Sequence, residues 1–259
     1  MGIVGQPLPL PLETIVRDAA SAPISGVAVN FSISSVPANA QGQSLSVPSQ
    51  TTGPDGKTST ILTLGSIPLD YEVQAAASAS TVTFQACGKL ANDDFEQFDS
   101  RWGNDTYDNT TSTIGVEGCA VSSLATLNNF YRSTVSSAIP QFNPGTLNSG
   151  LAGLGLLGYS QGGVVNWEGL NTLSGNNIRF VELTNVDANN LLGDVARSAD
   201  ADLARGRPVV MRVRRLKNNG TFGTHFVLAV GRCRGEYLIA DPGSGTRSTF
   251  DPKDSLINN

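Results

Sequence analysis

The chain has 259 residues, of which 39% are hydrophobic and 15% charged, and its formal net charge is −5. That composition suits a folded protein and not a disordered one, and the length accommodates two domains. The acidic balance argues against nucleic acid as a partner, because phosphate recognition needs a basic patch, and no apolar run approaches the ~18 residues that span a membrane.

In chain order, Met1-Gly2-Ile3-Val4-Gly5-Gln6-Pro7 has neither a basic start nor an apolar core. The expectation is export by another route, or membership of a longer exported protein. Residues 1–87 read as all-β. The run from Val27 to Ile33 alternates strictly, with Val27, Val29, Phe31 and Ile33 on one face and Ala28, Asn30 and Ser32 on the other. That is the period of a half-buried strand. Similar runs lie at Leu12–Val16, Thr58–Leu64, Tyr71–Ala75 and Thr81–Ala86. Turn residues such as Gly53-Pro54-Asp55-Gly56 separate them, and short strands so spaced predict a sandwich.

Several stretches resemble bacterial immunoglobulin-like domains of the invasin/intimin type, over residues 4 to 86. The matching pieces are Gly5-Gln6-Pro7-Leu8, Val16-Arg17-Asp18-Ala19, Pro23 to Phe31, Thr52 to Lys57 and Leu62-Thr63-Leu64-Gly65. The resemblance implies a spacer or adhesive stalk on a cell surface. It carries no catalytic cluster.

Residues 88–94 are polar and read as a linker to a second domain at 95–259. There the pattern changes. Ala120, Leu124, Leu127 and Tyr131 recur at helical spacing after Cys119. Residues 187–205 form a second candidate helix with Leu191, Leu192, Val195, Ala199 and Leu203 as its stripe and Gly206 as its stop. Strands are predicted at Pro208–Arg214, Thr224–Gly231 and Glu236–Asp241. Helices first and a terminal antiparallel sheet second make an α+β arrangement.

Chemistry is constrained by one count: His225 is the chain's single histidine. It lies in a strand-like run, and Asp241 follows sixteen residues later. A three-residue hairpin loop at Arg232-Cys233-Arg234 would place His225 directly opposite Asp241, close enough for the carboxylate to accept from the imidazole. Cys119 opens the first helix, where backbone N–H groups and the macrodipole favour an anion. Thiols in such settings, beside an imidazolium, ionise well below their ordinary ~8.5 and act as nucleophiles. His225 would then move protons and Asp241 would orient the ring. The Cys119 backbone N–H and the Gln97 side-chain amide are candidate oxyanion donors.

With these residues in place, Phe95 to Asp251 resembles the papain-fold cysteine peptidases related to bacteriocin-processing, double-glycine-leader peptidases. The matching pieces are Gln97-Phe98-Asp99-Ser100-Arg101-Trp102-Gly103, Gly118-Cys119-Ala120-Val121-Ser122-Ser123 and Asn166-Trp167-Glu168. Further pieces are Gly206 to Val210, Thr224 to Gly231 and Ile239-Ala240-Asp241-Pro242-Gly243. The resemblance implies Cys119 as nucleophile, His225 as base, Asp241 as its orienter and Gln97 as oxyanion donor. Gln97 lies 22 residues before Cys119, a longer gap than in that family, so residues 104–112 would have to loop out.

The expected protein is an extracytoplasmic cysteine peptidase, acting on peptide or protein substrates and carried on an immunoglobulin-like spacer. The alternatives are a structural or adhesive surface protein with an inactive papain-like domain, and an acyltransferase or amidase using the same thiol. Location at the cell surface or outside the cell leaves room for further surface domains or self-assembly. No cofactor is expected, and no metal, because zinc-type spacing is absent. Cys87 and Cys233 either pair as a disulfide or stay as separate thiols. Gly153 to Gly158 matches Gly-x-Gly-x-x-Gly but lacks the preceding strand of a nucleotide site. Trp102 and Trp167 are read as packing residues.

Overall fold

The computed structural model describes residues 1–108, 110–180, 194–216, 222–243 and 248–250. The chain divides into two compact units. The first holds Met1–Leu90 together with Asp200–Arg207 and Gly231–Gly235, and the second holds the rest.

Residues 1–90 of the first unit contain strands and no helix. Its strands are β1 (Gly2–Ile3), β2 (Leu12–Ile15), β3 (Ala28–Ser35), β4 (Ser44–Leu45), β5 (Ser49–Thr51), β6 (Lys57–Thr60), β7 (Leu62–Thr63), β8 (Asp70–Ala77) and β9 (Ser80–Lys89). β3, β8 and β9 pair antiparallel in that order, and β5 lies on the far side of β3. β2 pairs with β6 and β4 with β7. The alternation read in β3 is realised: Val29 and Phe31 are buried and their neighbours Ala28, Asn30 and Ser32 exposed. Phe31 joins Val29 and Ala75 in one apolar cluster, while Leu62, Leu64, Tyr71 and Val73 fill a second. The single run expected at Thr58–Leu64 splits into β6 and β7 around Ile61. The turn before it depends on Gly56. Its φ is +73°, and a Cβ there would lie 2.7 Å from the Val16 carbonyl oxygen. Backbone that tight admits only glycine.

β9 runs through the start of the expected linker to Lys89, and Leu90 is buried. One further point is covalent. Cys87 of β9 is joined to Cys233 by a disulfide, 146 residues apart in sequence. Beside it the Arg234 backbone N–H donates to Asp70 Oδ1 at 3.0 Å, and Arg232 pairs with Asp200.

The second unit contains α1 (Ile114–Glu117), α2 (Cys119–Thr134), α3 (Pro144–Gly153), β10 (Tyr159–Ser160), β11 (Val164–Val165) and α4 (Gly169–Leu173). Later come α5 (Asp194–Leu203), β12 (Val209–Leu216), β13 (Phe222–Cys233), β14 (Glu236–Ala240) and β15 (Thr249–Phe250). The ends of α5 and β13 count with the first unit. Residues 187–193 of the second predicted helix, Leu191 and Leu192 among them, lie outside the described residues.

α2 is buried on most of its circumference. Ala120, Val121, Leu124 and Ala125 pack with Trp102, Tyr107, Ile114, Leu147 and Leu151. Its polar face is buried as well and is paired to the following loop. Asn128 donates to the Pro140 carbonyl at 2.7 Å, and Asn129 donates to the Phe142 carbonyl at 2.9 Å and Asp93 Oδ2 at 3.0 Å. α3 starts with a reciprocal cap: Asn143 Oδ1 accepts from the Thr146 backbone N–H, with Pro144 at the first helical position. β12 and β13 pair antiparallel with Val213 opposite His225.

Candidate functional site

Cys119 is the first residue of α2, and Gly118 is the residue before it. The one-turn α1 and the long α2 meet so closely that a Cβ on Gly118 would lie 2.5 Å from both the side chain and the carbonyl oxygen of Ile114. Glycine is therefore what lets α1 run straight into α2 and set Cys119 at a helix start. The Cys119 thiol is the free one of the three and is half-buried. Its Sγ is 4.0 Å from the Glu117 carbonyl oxygen.

His225 sits within β13 and is 4% exposed. Its Nε2 lies 2.6 Å from Asp241 Oδ1. Burial pulls the imidazole pKa down, but hydrogen bonds from the ring to Asp241 and Cys119, and the charge on each, outweigh it and raise the value to about 9. Asp241 and Cys119 thus both favour the protonated ring. Nε2 is engaged by Asp241, which leaves Nδ1 as the second ring nitrogen.

Asp241 differs from the expectation in one respect. β14 ends at Ala240, so Asp241 stands in the turn beyond the strand. The hairpin loop is two residues, Arg234 and Gly235, with φ of +52° and +91°, and not the expected Arg232-Cys233-Arg234. Counting from the turn therefore does not by itself oppose His225 to Asp241. The turn geometry supplies the alignment instead: the Gly243 backbone N–H donates to Asp241 Oδ1 at 2.7 Å and holds the carboxylate toward the ring.

Gln97 is buried beside the same elements. Its backbone N–H donates to the Pro242 carbonyl, and its side-chain Nε2 donates to the Gly115 carbonyl of α1, each at 2.8 Å. One N–H of the amide is therefore committed within the fold, and one remains for an oxyanion. Its Oε1 has no hydrogen-bond partner among the described residues. The long insertion between Gln97 and Cys119 does not loop out freely. Gly103, Asp105 and Tyr107 bond back to Gly115, Ile114 and Ser112, with N···O distances of 2.8, 3.0 and 3.0 Å respectively.

That insertion brings in residues the spacing did not reveal. Tyr107 is 3% exposed and packs edge-on to Tyr159, with ring centroids 5.2 Å apart. Burial, with the charge of Cys119 nearby, holds its phenol well above the ordinary range, so it stays a neutral donor. Tyr159 in turn donates to Asn148 Oδ1 at 2.8 Å. Trp167 packs edge-on against Phe226, next to His225, at 5.4 Å. Both tryptophans pack on the helical core as expected.

Among the described residues, one cluster has the residue types of a metal site: Asp70, Cys87 and Cys233. Both sulfurs are tied up in the disulfide, and a thiolate is what ligates a metal. No helix among the described residues is long and apolar enough to cross a membrane.

No family model matches the chain, and no curated protein matches it. Among solved structures, the D0-D1 domain of intimin is similar at a TM-score of 0.29 and 19% identity, over 34% of this chain and 44% of that one. The D00-D0 domain of intimin is similar at 0.27 and 19%, over 34% and 42%. The chain therefore spans less than half the length of either solved chain, with weak similarity confined to a third of its own residues.

Proposed function

We propose that the second unit is a papain-like cysteine peptidase domain and that the first is an immunoglobulin-like spacer. The observation that carries the reading is the 2.6 Å contact of buried His225 Nε2 with Asp241 Oδ1, on a ring whose pKa the nearby Cys119 also raises. An imidazolium between a thiol at a helix start and a buried carboxylate is suited to acyl transfer.

In this reading Cys119 Sγ attacks the scissile carbonyl carbon, and a C–S bond forms while the carbonyl electron pair moves to oxygen. The oxyanion is met by the Cys119 backbone N–H and the free N–H of Gln97. His225 delivers its Nδ1 proton to the amine as the C–N bond breaks. The neutral ring then takes a proton from water, which attacks the thioester; the C–S bond breaks, releasing the acid and restoring the Cys119 thiolate beside the protonated ring. Asp241 holds the ring and stabilises its charged form throughout.

The disulfide supports an oxidising, extracytoplasmic location, because such bonds persist there and are rare in the cytosol. A second reading has its own observation. The Gln97 amide already donates to Gly115, which favours a domain that binds peptide without turnover, as a surface protein would need. Digestion of a proteome-derived peptide mixture by wild type and by Cys119→Ala separates the two. Defined cleavages that vanish in the variant support the peptidase. An identical, uncleaved mixture in both overturns it.

A further inference from the structure

We infer that Ser123 is a positioning residue that sets the spacing between the Cys119 thiol and the His225 ring. The inference rests on the reading above, in which those two groups form the reacting pair.

Ser123 follows Cys119 by four residues on α2, so the two side chains lie on one helix face, one turn apart. Ser123 is 2% exposed, and its Oγ donates to the Phe226 carbonyl oxygen at 3.3 Å. Phe226 is the residue after His225 on β13. One bond thus ties the helix turn beneath the thiol to the strand residue beside the imidazole. Phe226 is held a second way, since its ring packs edge-on against Trp167. The carbonyl that Ser123 reaches is consequently a fixed point.

The neighbouring residue makes the contrast. Ser122 is fully buried in the same turn of α2, yet its Oγ has no hydrogen-bond partner among the described residues. Two adjacent buried serines differ in whether they reach β13. At 3.3 Å the Ser123 bond is longer than the ~2.7–2.8 Å common for hydroxyl donors, so its contribution to stability is small. Its effect is on alignment. A nucleophile and base displaced by a fraction of an ångström lose much of their coupling.

The test uses the whole, disulfide-intact chain, in which Cys119 is the single free thiol. Its alkylation by iodoacetamide is followed from pH 4 to pH 10 for wild type, Ser122→Ala, Ser123→Ala and His225→Ala. Ser123→Ala is expected to move the acid limb of the rate profile to higher pH, by about half a unit to one unit, so that the rate at pH 5 falls several-fold. Ser122→Ala should overlay wild type. On any substrate found, Ser123→Ala should lower kcat with KM little changed. The isosteric pair Ser123→Thr and Ser123→Val shares any packing cost and differs in the hydroxyl alone. Thr should titrate as wild type and Val as Ala. The inference is overturned if Thr and Val titrate together, or if Ser123→Ala overlays wild type while His225→Ala shifts. If His225→Ala leaves the profile unmoved, the Cys119–His225 pairing itself is refuted, and the inference falls with it.

Discussion

The two units bury polar groups in different ways. In the first unit the buried polar side chains are Thr52, Thr58 and Thr60. Each is bonded to a neighbouring strand or loop: Thr52 to the Ile24 carbonyl at 2.7 Å, Thr58 to Gln50 at 3.1 Å and Thr60 to the Val47 carbonyl at 2.8 Å. They tie neighbouring strands and loops together, and Gln43 Oε1 is the buried side-chain atom of this unit without a hydrogen-bond partner among the described residues. The second unit buries Gln97, Ser122, Ser123, Asn128, Asn129, Asn148 and His225 among others. Three of their atoms, Gln97 Oε1, Ser122 Oγ and Asn128 Oδ1, have no hydrogen-bond partner among the described residues. Burying a polar group costs free energy unless it is bonded, and more so for a charged ring. Such residues accumulate where a structure answers to chemistry as well as to packing. The second unit buries more of them than the first, and it is the unit to which the proposed reaction is assigned.

The largest expected effect breaks or confirms that contrast directly. His225→Ala should lower kcat by about a thousand-fold or more, because one group serves both proton transfers and the chain has no other histidine. Asp241→Asn should cost less, about ten- to a hundred-fold, since an asparagine still holds the ring and the thiol needs less help than a serine. Both rates would be measured with circular dichroism as the check on folding. Equal losses in the two variants would show that Asp241 does more than orient.

Next in size is the disulfide. Closing a loop across 146 residues restricts the unfolded chain, so Cys87→Ser should destabilise the protein by about 2–5 kcal/mol. Denaturant midpoints read it, with Cys119→Ser as the comparison. Cys119 is half-buried and outside the disulfide, and its replacement should leave the midpoint nearly unchanged. A midpoint equal to wild type in Cys87→Ser would remove the covalent support assigned to the first unit.

The smallest effect is one of pH. The folded-state pKa of His225 is raised from 6.5 to about 9. A raised pKa means the folded protein holds this proton more tightly than the unfolded chain. Its stabilising contribution is therefore complete below pH 6.5 and is lost as pH rises through about 9. Wild type should lose stability between those values beyond any loss seen in His225→Gln. Parallel curves for the two proteins would show that the ring is not held as an imidazolium.

Much of this was legible from spacing alone. The alternation around Phe31 predicts β3, and the helical recurrence after Cys119 predicts α2, because both are local periods set by backbone geometry. Most element boundaries shift by a few residues: α2 continues past Tyr131 to Thr134, β9 runs on to Lys89, and β13 begins at Phe222 and ends at Cys233. The capping pair Asn143 and Thr146, with Pro144 between them, is a local signal of a helix start. The hairpin count was less secure than the residues it joined. Positive φ at Arg234 and Gly235 makes the loop two residues long, yet His225 and Asp241 still meet through the turn at Gly243.

By itself, then, the sequence determined the β character of the first 87 residues, the helix that begins at Cys119 and the presence of a single histidine, His225. These follow from local periodicity and from a count, and neither needs knowledge of what lies nearby in space. Tertiary structure alone decided that Cys87 and Cys233 pair, that the Gln97 amide spends one N–H on Gly115, and that Ser123 and not Ser122 reaches β13. The bonded partners in those cases lie between 18 and 146 residues away along the chain. Nothing in a residue's immediate neighbours records which distant group will stand within 3 or 4 Å of it once the chain is packed.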